Sequence, residues 1–379
     1  MVLGAGLAGL TLAHTLVREG LRAPIVIIDR RREHVRDRTW CWWDVAPTPY
    51  TALASRRWAS WRVVREGREA VQTSAAHPYL HLDASRFYEL VLTALAAAPQ
   101  VELRLGESVL AIEQAGAFPV VATSRGRLEA DRVYDALAAG SPLLRGRPRG
   151  SVELAQAFLG LEVETDRPAF DPGVATLMDF GPAAADEVRF TYVLPFSPTR
   201  ALVEDTSLGG PAHSRSARRE AVAAWLERTP AREWAVRYEE HGRIPMTTHR
   251  FAVHHGPRVH AVGTAAGAVR PSSGYAFMRS QTHCRAVARA IVRGEPLPQA
   301  LAPARRTLLD AVFLRALRER PAEFPRYFEL LLRRTAAGAF ARFMGDASTP
   351  ADEARVIAAL PKTPFLAAAA KAAAGAASR

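Results

Sequence analysis

Apolar and polar positions change period several times along the chain, and each change marks an element. Residues 1–29 read as strand, helix and strand. The second strand is the unbroken apolar run Pro24-Ile25-Val26-Ile27-Ile28, the pattern of a strand buried on both faces. Between residues 83 and 99, Phe87, Leu90, Val91, Ala94 and Leu95 recur on one helical face, with Asp83 or Ser85 as the cap. Short strand-like runs follow at 101–105, 108–112, 120–123 and 128–134, and a strand ending in Asp135 then meets Ala139-Gly140. From about 152 to 244 the pattern becomes that of a second sheet, with strands at 152–163, 174–180, 188–195 and 200–206 and one interrupting helix at about 216–228. A strand at 258–263, a turn of small residues and a helix at 278–293 return the chain to its first unit. Residues 298–358 read as helical, punctuated by Pro321, Pro325 and Pro350. The alanine-rich segment 365–377, interrupted by Lys371, reads as a frayed helix or a disordered tail.

This order places the second sheet inside the first unit, not after it. A chain of 379 residues with 49% hydrophobic content is a folded protein able to hold two closely packed domains. The expected division is a first nucleotide-binding part at 1–150, a substrate-domain sheet at 151–250, a return to the first domain at 251–295, and a helical region with a flexible tail at 296–379.

The first turn carries the strongest chemical signal, Gly4-Ala5-Gly6-Leu7-Ala8-Gly9. Gly4 permits a tight turn out of the strand, Gly6 lets backbone approach a pyrophosphate, and Gly9 lets the helix pack close to the sheet. The helix N-terminus then offers free N–H groups and a positive dipole end to phosphates. Asp29 ends the second strand, twenty positions after Gly9, where a carboxylate accepts hydrogen bonds from a ribose diol. A Gly-rich turn in an unrelated α/β protein would leave that placement of Asp29 unexplained. Only Met1, Val2 and Leu3 precede Gly4, against about 5–6 residues in an ordinary strand. Either the first strand is short or translation begins upstream.

A second turn lies at 258–275, where a strand runs into Gly263-Thr264, then Gly267, then Pro271-Ser272-Ser273-Gly274-Tyr275, then a helix. Two helix N-termini aimed at one ligand suit a flavin dinucleotide, one at its pyrophosphate and the other near its ring system. The fold class is therefore α/β: a Rossmann-like FAD/NAD(P)-binding domain with an inserted β-sheet substrate domain and a helical C-terminal region.

In this layout the chain is similar to the flavoprotein monooxygenase-like superfamily, and more narrowly it resembles the bacterial lycopene β-cyclases. The resemblance rests on Arg38-Thr39-Trp40-Cys41-Trp42-Trp43, Leu194-Pro195-Phe196-Ser197-Pro198-Thr199-Arg200-Ala201-Leu202-Val203-Glu204-Asp205-Thr206, Arg243-Ile244-Pro245-Met246 and Pro271-Ser272-Ser273-Gly274-Tyr275. These come in family order and span residues 4 to about 293. The stretch 194–206 is the most specific and separates the cyclases from flavin hydroxylases. Hydroxylases carry Gly-Asp in the second turn, where this chain has Gly263-Thr264; the cyclases also tend to lack that aspartate. The resemblance implies FAD in its reduced form, NAD(P)H as the electron source, lycopene as the substrate and an isomerase reaction without net redox change. FAD-contacting positions would be Gly4, Gly6, Gly9, Asp29, Gly263, Thr264, Gly267, Pro271 and Gly274.

The chemistry of ring closure fits the same residues. A proton must be placed on an alkene, a carbocation must close a ring, and a neighbouring proton must leave. That asks for a strong general acid in a dry site and a π-rich or anionic wall. Glu204 follows the apolar run Ala201–Leu202–Val203, where desolvation raises a carboxyl and keeps it protonated. Neighbours on a strand point to opposite faces, so only one of Glu204 and Asp205 should line the tunnel. The resemblance implies Glu204 there, with Asp205 orienting the strand or facing the flavin side. Both acids exposed in a loop is the competing reading. Trp40, Trp42, Trp43 and Tyr275 are candidate tunnel walls, a π-face stabilising a passing cation by about 1–2 kcal/mol, with core packing expected of at least one tryptophan.

Charge and cysteine content narrow the partners. The net charge is +12, nearly all from arginine, since Lys362 and Lys371 are the only lysines. The arginines are scattered without interleaved aromatics or a nucleic-acid motif, so an anionic membrane surface ranks above nucleic acid. Arg30-Arg31-Arg32 and Arg305-Arg306 read as solvated faces. Cys41 and Cys284 alone exclude a disulfide framework and suit a reducing cytoplasm. The histidines lack ligand spacing, His254-His255 reads as a loop pair, and no metal is expected. No stretch of about 20 apolar residues is present to span a bilayer. A long hydrocarbon substrate implies peripheral contact with the inner face of the membrane, with Phe324, Phe328 and Leu331–Leu332 as candidate apolar contacts. Two rivals stand beside the cyclase: a redox flavoenzyme, hydroxylase or reductase, acting on an isoprenoid, and a non-catalytic isoprenoid-binding protein.

Overall fold

Val2 and Leu3 form a strand of two residues, yet it lies at the centre of a parallel sheet and is paired on both sides. The structure, a computed structural model, describes residues 1–144, 151–181 and 186–377. In chain order it opens with β1 (Val2–Leu3), α1 (Leu7–Arg18) and β2 (Ile25–Asp29). Five strands follow, β3 (Thr39–Trp43), β4 (Arg56–Trp58), β5 (Ser60–Arg65), β6 (Arg68–Thr73) and β7 (Tyr79–Asp83), leading into α2 (Ala84–Ala96). Next come β8 (Val101–Leu105), β9 (Val109–Glu113), β10 (Val120–Thr123), β11 (Gly126–Glu129) and β12 (Val133–Asp135). Long strands β13 (Glu153–Thr165), β14 (Val174–Phe180), β15 (Glu187–Ser197) and β16 (Arg200–Gly209) precede α3 (Arg215–Leu226) and β17 (Trp234–Thr247). The short β18 (Val259–Ala261) returns to α4 (Phe277–Arg293), and α5 (Ala304–Glu319), α6 (Phe324–Arg334), α7 (Ala337–Met344), α8 (Pro350–Ala359) and α9 (Lys362–Ala377) complete the chain.

The parallel sheet has the order β18-β12-β1-β2-β8. Its central strands are apolar up to the aspartates that end β2 and β12, as a sheet covered on both faces requires, and α1 and α4 pack together on one side of it. A hairpin sheet β11-β10-β9 sits beside it. The segment expected as one strand at 128–134 is therefore two: β11 closes the hairpin with β10, and β12 enters the parallel sheet. Asp83 caps α2, accepting from the Ser85 amide at 2.8 Å, as its position predicted.

The second sheet is larger than its sequence pattern showed, with seven strands in the order β17-β13-β16-β15-β14-β5-β6. Two of these, β5 and β6, come from the segment expected to belong wholly to the first domain; β5 joins β14 in parallel. The division expected at residue 150 falls within 145–150, which lie outside the described residues. A third small sheet, β3-β7-β4, lies between the two larger ones. α3 covers one face of the seven-stranded sheet, with Val222 and Leu226 on Leu159, Leu161 and Val203. The C-terminal helices join the cluster on the other face, where Phe324, Phe328, Leu331 and Leu332 are buried. These four side chains are core and do not form the exposed contact expected of them. The alanine-rich tail is also fastened: Phe365 packs on Phe313 and Tyr327, and Lys371 pairs with Glu319. No helix among the described residues is long and apolar enough to cross a membrane.

The first turn shows why its glycines differ. A Cβ on Gly9 would overlap the carbonyl oxygen of Gly4, whereas a Cβ on Gly6 meets nothing nearer than Arg31 Nη2 at 3.7 Å. Gly9 thus serves packing, and Gly6 leaves open space at the uncapped start of α1. We expect Gly9→Ala to destabilise the fold by about 1–3 kcal/mol in chemical denaturation, and Gly6→Ala to stay within about 1 kcal/mol of wild type.

Candidate functional site

The two turns singled out in the sequence meet in space. A Cβ on Gly263 would overlap Ala8 in the first turn of α1, so the second turn abuts the N-terminus of that helix. Thr264 lies in the short helical turn Gly263–Ala266, which closes on Gly267 in a left-handed conformation. The Pro271–Gly274 turn is closed by the Arg270 amide donating to Tyr275 O at 2.9 Å. It is pinned from outside, because Ser272 Oγ and Arg270 Nε donate to Asp310 of α5 at 2.6 and 2.9 Å.

Asp29 ends β2 beside the first turn and accepts from the Ala5 amide at 2.6 Å. Arg31 folds back onto it, with Nε and Nη2 each 3.1 Å from a carboxylate oxygen. Burial alone would raise this carboxyl, but Arg31 and the Ala5 amide hold it below its usual value. Arg31 is therefore part of the site and not a solvated residue as its sequence context suggested. Arg306 is corrected in the same way: it donates to the carbonyls of Asp346 and Ser348 and lies beside Glu353. His254 is more than a loop residue, forming a bridge to His260 with their Nδ1 atoms 2.8 Å apart.

Strand alternation splits the tryptophan run. Trp40 and Trp42 face the parallel-sheet side, where Trp42 stacks on Phe277 at 4.2 Å and Trp40 packs against Phe87. Trp43 faces the other way, 5.6 Å from Tyr275 and 4.4 Å from Tyr79. A narrow cleft opens between Trp42, Trp43, Tyr275, Met278 and Gly345. Trp40 does not line it. The indole N–H groups of Trp42 and Trp43 are buried there without a hydrogen-bond partner.

Beyond Tyr275 a line of hydroxyls runs into the protein. Tyr275 and Tyr79 are 2.7 Å apart, and Tyr79 and Tyr192 are 2.9 Å apart. Tyr192 is the cross-strand neighbour of Glu204. Register then carries one row across four strands: Tyr192 of β15, Glu204 of β16, Gly160 of β13 and Glu240 of β17. Residues directly opposite one another share a face, so both glutamates look into the layer covered by β3, with the glycine between them. Thr206 donates to Glu204 at 2.5 Å, and Thr39 donates to Glu240 at 2.9 Å.

Burial dominates the electrostatics. It pushes the Glu204 carboxyl up to about 8, aided by the negative charge of Glu240 and opposed by the Thr206 hydroxyl. Glu240 is pushed up to about 7 by burial, against the Thr39 hydrogen bond and the nearby Arg36 guanidinium. Glu204 is therefore a protonated acid near neutrality, set in a layer of tyrosine hydroxyls. Asp205 lies on the opposite face, bound by Arg189 at 2.7 Å and by the buried Arg218 of α3 at 2.8 Å. It faces α3 and not the turns of the first domain, which corrects the expectation of a flavin-side role.

Glu240, Tyr79 and Tyr192 were not picked out in the sequence. The segment Arg243-Ile244-Pro245-Met246 carries part of the resemblance, but Glu240, three positions before it, gains meaning only through the register of β13 with β17. Among the described residues no group of three or more His, Cys, Asp and Glu side chains could hold a metal ion.

The chain matches known proteins along nearly its whole length. A family model described as lycopene cyclase protein matches residues 1–370. The lycopene beta-cyclase of Paracoccus sp. (strain N81106 / MBIC 01143) is 28% identical over 390 residues, covering 95% of this chain and 94% of that protein. Among solved structures, a flavoprotein/dehydrogenase from Cytophaga hutchinsonii matches with a TM-score of 0.63 at 15% identity, over 99% of this chain and 98% of that one. A geranylgeranyl bacteriochlorophyll reductase-like protein from Thermoplasma acidophilum matches with a TM-score of 0.59 at 15% identity, over 94% of each chain. At such identities the structures establish a shared α/β fold. The chain belongs to the lycopene cyclase family.

The raised carboxyl has a consequence for stability. Between about pH 4.5, the ordinary value, and about pH 8, the unfolded chain ionises Glu204 while the folded protein keeps it protonated, so stability falls as pH rises through that window. Glu204→Gln removes the group from both states. We expect wild type to lose more stability than Glu204→Gln between about pH 5 and 9, measured by denaturant midpoints at matched ionic strength.

Proposed function

We propose that this member of the family is a lycopene β-cyclase, which closes the linear ends of lycopene into β-rings. The observation that carries the reading is a buried Glu204, pushed up to about 8, one strand from Tyr192 and the hydroxyl line that leads to Tyr275 at the cleft. Glu204 gives its proton to a terminal alkene carbon: its O–H bond breaks and a C–H bond forms. The resulting carbocation closes the ring with the π-electrons of a second alkene, and a carbon beside the new cation loses a proton, which returns to the carboxylate left at Glu204 and restores the acid. The product is an isomer of the substrate, so no electrons are gained or lost. Water must be kept out, since it would trap the cation. Trp43, Tyr275 and Tyr79 supply an aromatic wall for it.

The residues of the first domain fit a flavin dinucleotide. Gly6 leaves room at the start of α1, Asp29 stands at the end of β2 for a ribose diol, and Gly263 and Thr264 abut α1. Gly4 and Gly9 shape that first turn, while Gly267, Pro271 and Gly274 shape the second, next to unpartnered indole N–H groups that a ligand acceptor would satisfy. When bound and reduced, with NAD(P)H as reductant, FAD would supply negative charge beside the developing cation. The substrate is a membrane hydrocarbon. We assign a peripheral contact to the C-terminal helices, where Leu308, Ile357 and Leu366 are exposed.

In a lycopene-accumulating bacterium, wild type is expected to yield ring-closed carotenes and Glu204→Gln to leave lycopene, read by pigment chromatography. Unchanged lycopene with wild type and bound flavin would turn the reading toward a redox enzyme. The purified protein should also co-sediment with anionic liposomes at low salt, and failure to do so would remove the membrane contact.

A further inference from the structure

A carboxyl that must give up a proton near neutrality needs something to hold the proton until the substrate arrives. Burial supplies part of this for Glu204. The register of the sheet supplies another part. Gly160 pairs with Glu204 on one side and with Glu240 on the other. A Cβ on Gly160 would lie 3.5 Å from Glu204 Cβ and 3.4 Å from Glu240 Cγ. Both glutamates therefore border the space above the glycine, and no side chain of β13 separates them there.

Their surroundings are unequal. Glu240 Oε2 accepts from Thr39 at 2.9 Å and from Tyr238 at 3.4 Å. The Arg36 guanidinium, 3.8 Å above the Tyr238 ring, lies near it. Among the described residues Glu204 accepts only from the Thr206 hydroxyl. The better-solvated anion is at 240. We propose that Glu240 is a positioning residue for Glu204: in a carboxyl pair held across Gly160 it is the member that ionises first, and its charge then keeps the proton on Glu204. The inference rests on the cyclase reading for its purpose but not for its measurement.

Other groups face this pair from every packed element. On the Glu204 side are Tyr192 and Thr206 of the sheet, Cys41 of β3, Tyr275 beyond it, and Asp205 with Arg218 across the strand. On the Glu240 side are Thr39, Arg36, Tyr238 and Asp83, with Glu162 of β13 next along, bound by Arg36 and Arg200. Burial raises the Cys41 thiol to about 12, raises Tyr79, Tyr192 and Tyr275, and lowers His81 of β7 to about 4. These five stay uncharged between about pH 6 and 9, so they do not replace the charge at 240.

The test is an infrared titration of the carboxyl C=O band on the purified, flavin-loaded full chain, with the Glu204 band identified by its loss in Glu204→Gln. In Glu240→Gln the Glu204 band should ionise about one pH unit lower than in wild type, while Glu240→Asp, which keeps the charge, should stay near the wild-type position. Thr39→Val, which weakens the anchor of the Glu240 anion, should move the band in the same direction as Glu240→Gln and by less. The alkaline limb of the turnover–pH profile should move with the band. A Glu240→Gln band at the wild-type position, or equal shifts in the Gln and Asp variants, overturns the proposal. Should Glu240→Gln fail to fold by circular dichroism, Thr39→Val decides, and an unmoved band in it overturns the proposal. Absence of cyclisation in wild type would strike the cyclase reading and leave the titration result standing.

Discussion

The structure turns on the burial of two carboxyls in one layer beside the seven-stranded sheet. A charge there is costly, so each glutamate must be neutral or be met by fixed donors. The fold provides the donors unevenly, with two hydroxyls and a nearby guanidinium for Glu240 and one hydroxyl for Glu204. Everything around the row serves to keep it dry. β3 and β7 lay Thr39, Cys41 and Tyr79 over it, and Trp58 ties β4 to the sheet through the carbonyl of Pro195 at 3.2 Å.

The same constraint explains why consecutive residues do unrelated work. Along β16, Leu202, Glu204 and Thr206 share the face toward the small sheet, while Ala201, Val203 and Asp205 share the face toward α3. Asp205 there holds the buried Arg218 and so fastens α3 to the sheet. Along β3, Thr39, Cys41 and Trp43 meet the glutamate layer, and Trp40 and Trp42 belong to the core beneath α4. A two-residue period converts one short motif into two surfaces.

Much of this was legible in the chain. The glycine fingerprint, Asp29, the second turn and Glu204 are local patterns, and the structure brings the two turns together. The capped helix after Asp83 and the inserted order of the sheets were readable for the same reason. What escaped notice was non-local. β5 and β6 carry no mark of the sheet they join, because their partner β14 lies about a hundred residues further on. Glu240 is one of two adjacent acids, and only its pairing with Gly160 separates it from Glu239, which reaches Arg215 and Arg219 at the surface. Arg31 sat in a run of three arginines, and its contact with Asp29 depends on how the chain leaves β2. The helical apolar residues at 324–332 were visible as a stripe, but a stripe does not say whether protein or lipid covers it.

The central position of β1 bears on synthesis. Its two residues are held by β2, which emerges from the ribosome early, and by β12, which emerges after residue 135. The sheet edge beyond β12 waits for β18, which ends at residue 261. The seven-stranded sheet is similar, since β5 has no neighbour on its inner side until β14 has been made. The N-terminal half of the nascent chain thus carries unpaired strand edges until β12, β14 and β18 have been made, and closing such long loops is slow. An edge left open in this way is a template for pairing with another strand, so the two sheets are protected only once β14 and β18 have been made.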